Sequence, residues 1–178
     1  FSECKFDLLK KEGSKMQKRE SSQKFALGFT LVEILIVVMI IGLIAAIVVP
    51  SFADFSRESE QSTFVSNIKS FAQAAIYYKE KVGEYLEDSN SGVCPVGFED
   101  YIDQGRWERP TPLGGVWDAE LNSFEITSGI GVDFNSGVGK SRDDVYMQEI
   151  DVLFDDGDLA TGVFRKIAAG RYYYILAD

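Results

Sequence analysis

Residues 29–49 are apolar except for Thr30 and Glu33. As a helix this stretch is about 31 Å long at ~1.5 Å per residue, enough to cross a hydrocarbon core of about 30 Å. It predicts one membrane-spanning helix. Beyond it the pattern changes from uniform to periodic. Phe64, Ile68, Phe71, Ala75, Tyr78 and Val82 recur at intervals of four and three, with Ser66, Asn67, Lys69, Ser70, Gln73, Lys79 and Glu80 between them. That is a single apolar stripe on a polar helix. The two patterns join into one long helix from about Phe29 to Lys81. Gly83, free of a Cβ, suits its C-terminal cap, and Pro50, which lacks a backbone donor, predicts a kink.

After Gly83 turn residues become frequent. Residues 85–97 read as a loop and 98–104 (FEDYIDQ) as a short helix. Strands are expected at about 115–119 and 123–128, joined as a hairpin, with Trp117 in the core. Residues 141–156 predict a second amphipathic helix capped by Ser141 and ended by Gly157, with Val145, Ile150, Val152, Leu153 and Phe154 facing the core. The chain closes with a hairpin over 162–176 that turns at 168–170. Tyr172, Tyr174 and Leu176 alternate there with Tyr173 and Ile175, which reads as strand packing. A long helix, four antiparallel strands and a second helix make an α+β fold, the long helix packed on a small sheet.

Charge sharpens this division. Residues 1–28 hold seven Lys/Arg and four Asp/Glu, so 11 basic and 24 acidic residues, a net −13, lie in 29–178. Basic residues precede the apolar run, and Asp54, Glu58 and Glu60 against Arg57 follow it, which keeps the N-terminus cytoplasmic and exports the rest. A domain this acidic excludes direct nucleic-acid binding. The chain has no histidine, which removes the commonest general base and metal ligand. Cys4 and Cys94 flank the apolar run and form no framework, and Cys94 reads as a free or buried thiol. No cofactor and no catalytic residue is expected, so the chain does not read as an enzyme. Met16 opens a short basic leader, and residues 1–15 read as an extension upstream of it.

The remaining question is Glu33. A carboxylate inside a membrane helix costs about 3 kcal/mol on insertion scales and is a functional residue by default. A cleavable secretory signal, with Ser51–Ala53 as a small-residue cut site, would not need it, and the apolar run is longer than such signals use.

The stretch GFTLVEILIVVMIIGLIAAIVVP, residues 28–50, resembles the prepilin signature of type IV pilins and type II secretion pseudopilins. The resemblance implies cleavage by a prepilin peptidase between Gly28 and Phe29 and N-methylation of Phe29. It makes Glu33 an assembly residue that pairs with the amino group of a neighbour's Phe29. Gly42 and Pro50 match positions where such helices soften within the filament. The implied partners are the peptidase, other pilin or pseudopilin subunits, an inner-membrane assembly platform and, before assembly, lipid. The implied location is a single-pass inner-membrane protein with a periplasmic head, later a pilus or pseudopilus. The domains are then a leader and upstream extension, 1–28, removed; a transmembrane and filament-core helix, 29–53; and a soluble α+β head, 54–178. Many pilins close a C-terminal loop with two cysteines, whereas this chain keeps only Cys94 beyond the cut. The competing class is an exported binding module or enzyme whose apolar segment is only a signal or anchor.

One motif stands outside this scheme. Asp155, Asp156 and Asp158 place hard oxygen ligands around Gly157, a pattern that invites calcium. The run lacks the EF-hand spacing and its distal Glu, so a plain acidic turn is expected there and no metal.

Overall fold

The computed structural model describes residues 29–178, with residues 50–54 given in backbone only. The leader, Gly28 and Cys4 lie outside the described residues. The chain divides into two compact units, one ending at Ile44 and the other Ala45–Asp178. The sequence boundary at 53/54 rests on composition rather than on contacts.

The long helix α1 runs from Leu31 to Val82, and its backbone is continuous through Gly42 and Pro50. It stops where expected, with Gly83 at positive φ donating its N–H to Lys79 O. Within the second unit its stripe supplies the core. Phe64, Ile68, Phe71 and Ala75 are buried, while Val82 at the end of the stripe is half exposed. Phe64 stacks on Trp117 with ring centroids 5.3 Å apart, and Phe71 meets Trp107 and Trp117 edge-on at 5.2 and 5.0 Å.

The sheet against which this stripe packs has four antiparallel strands in the order β1-β2-β4-β3: β1 Val116–Ser123, β2 Ile126–Asp133, β3 Phe164–Ala168 and β4 Arg171–Ala177. Both outer strands are bonded along their free sides by irregular chain. Gly92 N–H donates to Trp117 O beside β1, and Lys166 N–H donates to Leu159 O beside β3. In β4, Tyr172 faces the main core, with Tyr174 and Leu176 partly buried beside it, while Tyr173 and Ile175 face a second cluster with Ile126. The expected alternation holds.

Four boundaries move from their expected places. The first hairpin turns at Phe124–Glu125, both at positive φ, with Ser123 paired to Ile126. Asn122 and Ser123, the better turn formers, stay in β1. Residues 98–102 form successive turns rather than a helix. The helix there is the single turn α2, Gln104–Trp107, begun when Asp103 accepts a hydrogen bond from Gly105 N–H at 3.0 Å. The helix α3 spans Asp144–Phe154 and is capped by Asp143, not Ser141. Arg142, bonded to Leu113 O and Glu60, draws the preceding residues away. At its other end α3 stops before Gly157, because the Asp155 side chain accepts the amides of Val163 and Phe164 and turns the chain toward β3.

The phase of α3 also differs. Of the five residues expected in its core face, Ile150 is buried and Phe154 half-buried, whereas Val145, Val152 and Leu153 are exposed. Tyr146, Met147 and Asp151 take the inner face instead. The helix carries apolar residues on two sides, and hydrophobicity alone does not choose between them.

Candidate functional site

The first turn of α1 carries a reciprocal set of hydrogen bonds around Glu33. Thr30 N–H and Oγ1–H both donate to Glu33 Oε2, at 2.9 and 3.0 Å, and Glu33 N–H donates to Thr30 Oγ1 at 3.2 Å. Ile34 N–H completes the turn by donating to Thr30 O. This is a capping box: the N-cap hydroxyl and the third-residue carboxylate satisfy each other's orphan amides. The carboxylate also lies at the helix end whose partial positive charge favours an anion. Glu33 is therefore held by its own turn before any second chain approaches it. Thr30 is the residue that the reading of Glu33 as a lone charge overlooked. Its signal was present, since Thr30-Leu31-Val32-Glu33 has the capping-box spacing.

Around that turn the surface is apolar and open. Leu31–Val49 is long and apolar enough to cross a membrane, with a mean hydropathy of 3.2. Phe29 is 80% exposed. Gly42 lies on open helix surface, where an added Cβ would meet nothing within 4 Å.

The other candidates fall in the second unit. Cys94 is buried and unpaired, and burial, followed by Glu99 and Glu108, pushes its thiol up to about 11. At neutral pH it is a thiol rather than a nucleophile. The outer face of the sheet gathers Asp118, Glu120 and Asp133 around Arg171, which bonds all three, while Tyr173 O–H donates to Asp118. Glycine makes this cluster possible. A Cβ on Gly131 would overlap the Tyr172 carbonyl oxygen and the Tyr173 ring, so the bare strand lets Tyr173 lie across β2 toward β1. Desolvation raises the Asp118 and Glu120 carboxyls. The acidic turn after α3 is built as a compact loop. Asp156 accepts hydrogen bonds from Asp158 N–H at 2.9 Å and Thr161 Oγ1–H at 2.8 Å.

Comparison with known proteins puts the N-terminal turn in context. No family model matches the chain, and no solved structure does. Among curated relatives, it is 40% identical over 118 residues to the type IV major pilin protein PilA of Myxococcus xanthus, covering 60% of this chain and 54% of that protein. It is 30% identical over 125 residues to the type IV major fimbrial protein FimA of Dichelobacter nodosus, covering 66% of this chain and 71% of that one. It is also 38% identical over 64 residues to the type II secretion system core protein G of Aeromonas hydrophila, 36% of this chain and 41% of that protein. The chain thus spans about half the length of the Myxococcus pilin and most of the Dichelobacter one. With an apolar N-terminal helix and a small antiparallel sheet beside these likenesses, the chain belongs to the type IV pilin and type II secretion pseudopilin family.

Proposed function

We propose that the chain is a structural subunit of a type IV pilus or type II secretion pseudopilus, polymerised through α1. A prepilin peptidase cuts between Gly28 and Phe29 and methylates the new amino group of Phe29. The subunit waits in the inner membrane with its head outside the cytoplasm, surrounded by lipid, until the assembly platform adds it to other pilin or pseudopilin subunits. Gly42 and Pro50 are the points where α1 softens in the filament.

The observation that carries this reading is a carboxylate kept in an otherwise apolar span and already aimed at the helix start. Once the leader is gone, Phe29 offers a positive amino group at the same depth in a neighbouring chain. Assembly then replaces a local arrangement of hydrogen bonds with an ion pair between subunits. Breaking a buried pair by removing one member costs about 3–5 kcal/mol.

The test is Glu33→Gln beside Glu33→Ala in cells that make filaments. Processed subunit, read by intact mass with Phe29 as methylated first residue, should be near wild-type for both variants. Sheared filament should fall sharply for both. Normal filament yield from both variants would refute the pairing role, and a mature chain beginning at Asp54 would establish a secretory signal instead.

A further inference from the structure

The outer face of the sheet is short of positive charge at one end. Arg171 divides its guanidinium among three carboxylates, bonding a single oxygen each of Asp118, Glu120 and Asp133. Asp133 is fully served: its Oδ2 also accepts from Ser91 Oγ–H at 2.9 Å, and its Oδ1 accepts from Asn135 N–H at 2.8 Å. Asp118 is not. Its Oδ2 is shared by Arg171 and the Tyr173 hydroxyl, while Oδ1 is enclosed without a hydrogen-bond partner, in a residue only 2% exposed. Ser91, the neighbouring donor, has one hydroxyl proton and gives it to Asp133. A buried carboxylate oxygen without a donor is costly. The strain extends to Glu120, whose carboxyl is raised by burial and then by the fields of Asp118 and Asp88. A cleft of about 370 Å³ opens over this end, between residues 88–91 and the sheet, with Asp88, Asp118, Glu120, Phe124 and Arg171 in its lining. Four carboxylates, counting Asp133 beside Arg171, stand there against one guanidinium, a formal net −3.

We propose that this cleft binds a small aliphatic diamine, with one ammonium at the buried Asp118–Glu120 pair and the other at the exposed Asp88. Three features select that chemistry. The carboxylates are spread around Arg171, and among the described residues no three acidic oxygens in this cleft converge closely enough to share a metal ion. An ammonium instead carries three donors that serve separate acceptors. Asp118 and Glu120 are both nearly buried, so the charge must arrive at the tip of a slender stem. An alkylammonium has that shape, whereas a guanidinium is a wide planar fork. The half-exposed Phe124 ring in the lining gives the methylene stem an apolar wall. Last, the deficit exceeds one charge, and Asp88 forms no ion pair among the described residues. A bound diamine would tie residues 88–91 to the outer strand β1. That role belongs to the head and does not depend on how the filament is built.

The experiment uses the full chain in micelles of a non-ionic detergent, titrated with pentane-1,5-diamine at constant ionic strength. Calorimetry reads the affinity, and amide chemical shifts locate the site. One saturable site is expected, with shifts concentrated at residues 88–91 and 118–120. Tetramethylammonium, which carries the charge but no donor, should produce neither. Asp118→Asn should weaken binding about tenfold or more, the effect of one charged hydrogen bond. Butylamine, with a single ammonium, should bind wild type more weakly than the diamine and bind the exposed variant Asp88→Asn about as well as the diamine does. Absence of saturable diamine binding by the folded wild type would overturn the proposal, as would equal binding of tetramethylammonium. So would undiminished binding by Asp118→Asn, or by Glu120→Gln if the former does not fold. A lysine blocked at both its backbone ends that binds as tightly as the diamine would overturn the choice of ligand in favour of a protein's lysine side chain.

Discussion

The two halves of α1 both carry large apolar residues, nearly unbroken in the first and along a stripe in the second, and expose them very differently. In the first, Leu31 is 83% and Val49 66% exposed; in the second, Phe64 and Ile68 are 0% exposed. The first half is apolar on every side, and such a helix is stable only against lipid or other apolar helices. The second is apolar on one side and covers that side with its own sheet. What differs is where the stabilising partner resides, outside the subunit for one half and inside it for the other. Substitutions should therefore be felt in different assays.

The largest contrast is expected between Phe71→Ala and Ile40→Ala. Losing the Phe71 ring from between Trp107 and Trp117 should cost about 3–5 kcal/mol of head stability. Ile40→Ala should change that stability by less than about 0.5 kcal/mol. Denaturant unfolding followed by tryptophan fluorescence in detergent reads both, and equal losses would break the comparison. Next come two glycines. Gly131→Ala forces a methyl into the Tyr172 carbonyl and the Tyr173 ring and should cost about 1–3 kcal/mol or more. Gly42→Ala points into open space and should leave the head unchanged while stiffening the membrane half by about 1 kcal/mol.

Thr30→Val removes the cap hydroxyl and should loosen the first turn by about 1 kcal/mol, whereas Thr30→Ser keeps it. Amide exchange at residues 31–33 in micelles separates the two, and equal protection would show that the capping box is idle. The smallest effect is one of pH. Burial raises the Asp118 carboxyl in the folded state, so its contribution is complete below the usual aspartate range and is lost as pH rises through the raised value. Wild type should therefore lose stability relative to Asp118→Asn as pH climbs past that range. Parallel stability-pH curves for the two would contradict that account.

How far these features can be read in advance follows from the same contrast. The spine was legible because one rule governs each half: apolarity from Phe29 to Val49 broken only by Thr30 and Glu33, then intervals of three and four from Phe64. The hairpin at 168–170 was legible because Gly170 marks it and the tyrosines alternate. The α3 face was not, since Val152 and Leu153 equal Met147 in hydrophobicity and only the sheet decides which side is inward. The first turn misled for a related reason. Phe124 and Glu125 adopt positive φ against their preference, with the Arg171 guanidinium carbon 5.4 Å from the centre of the Phe124 ring, a contact made across 47 residues of sequence. The charge at Glu33 was visible at once and Thr30 was not, because a residue that violates its surroundings attracts more notice than one that repairs them. Asp151 lay hidden in the opposite way, as an ordinary charge in an amphipathic helix until packing turned it inward.

The loops that bond the outer sides of β1 and β3 have a consequence for the proposed polymerisation. An open strand edge is a template for adding a further strand, the route to runaway β-aggregation. Heads crowded at the high local concentration of a fibre would be especially exposed to that side reaction. Gly92 bonded to Trp117 and Leu159 bonded to Lys166 occupy backbone groups on both edges that an incoming strand would need. Of the two ways in which proteins build long fibres, stacked sheets and bundled helices, the fold blunts the first and leaves the second open.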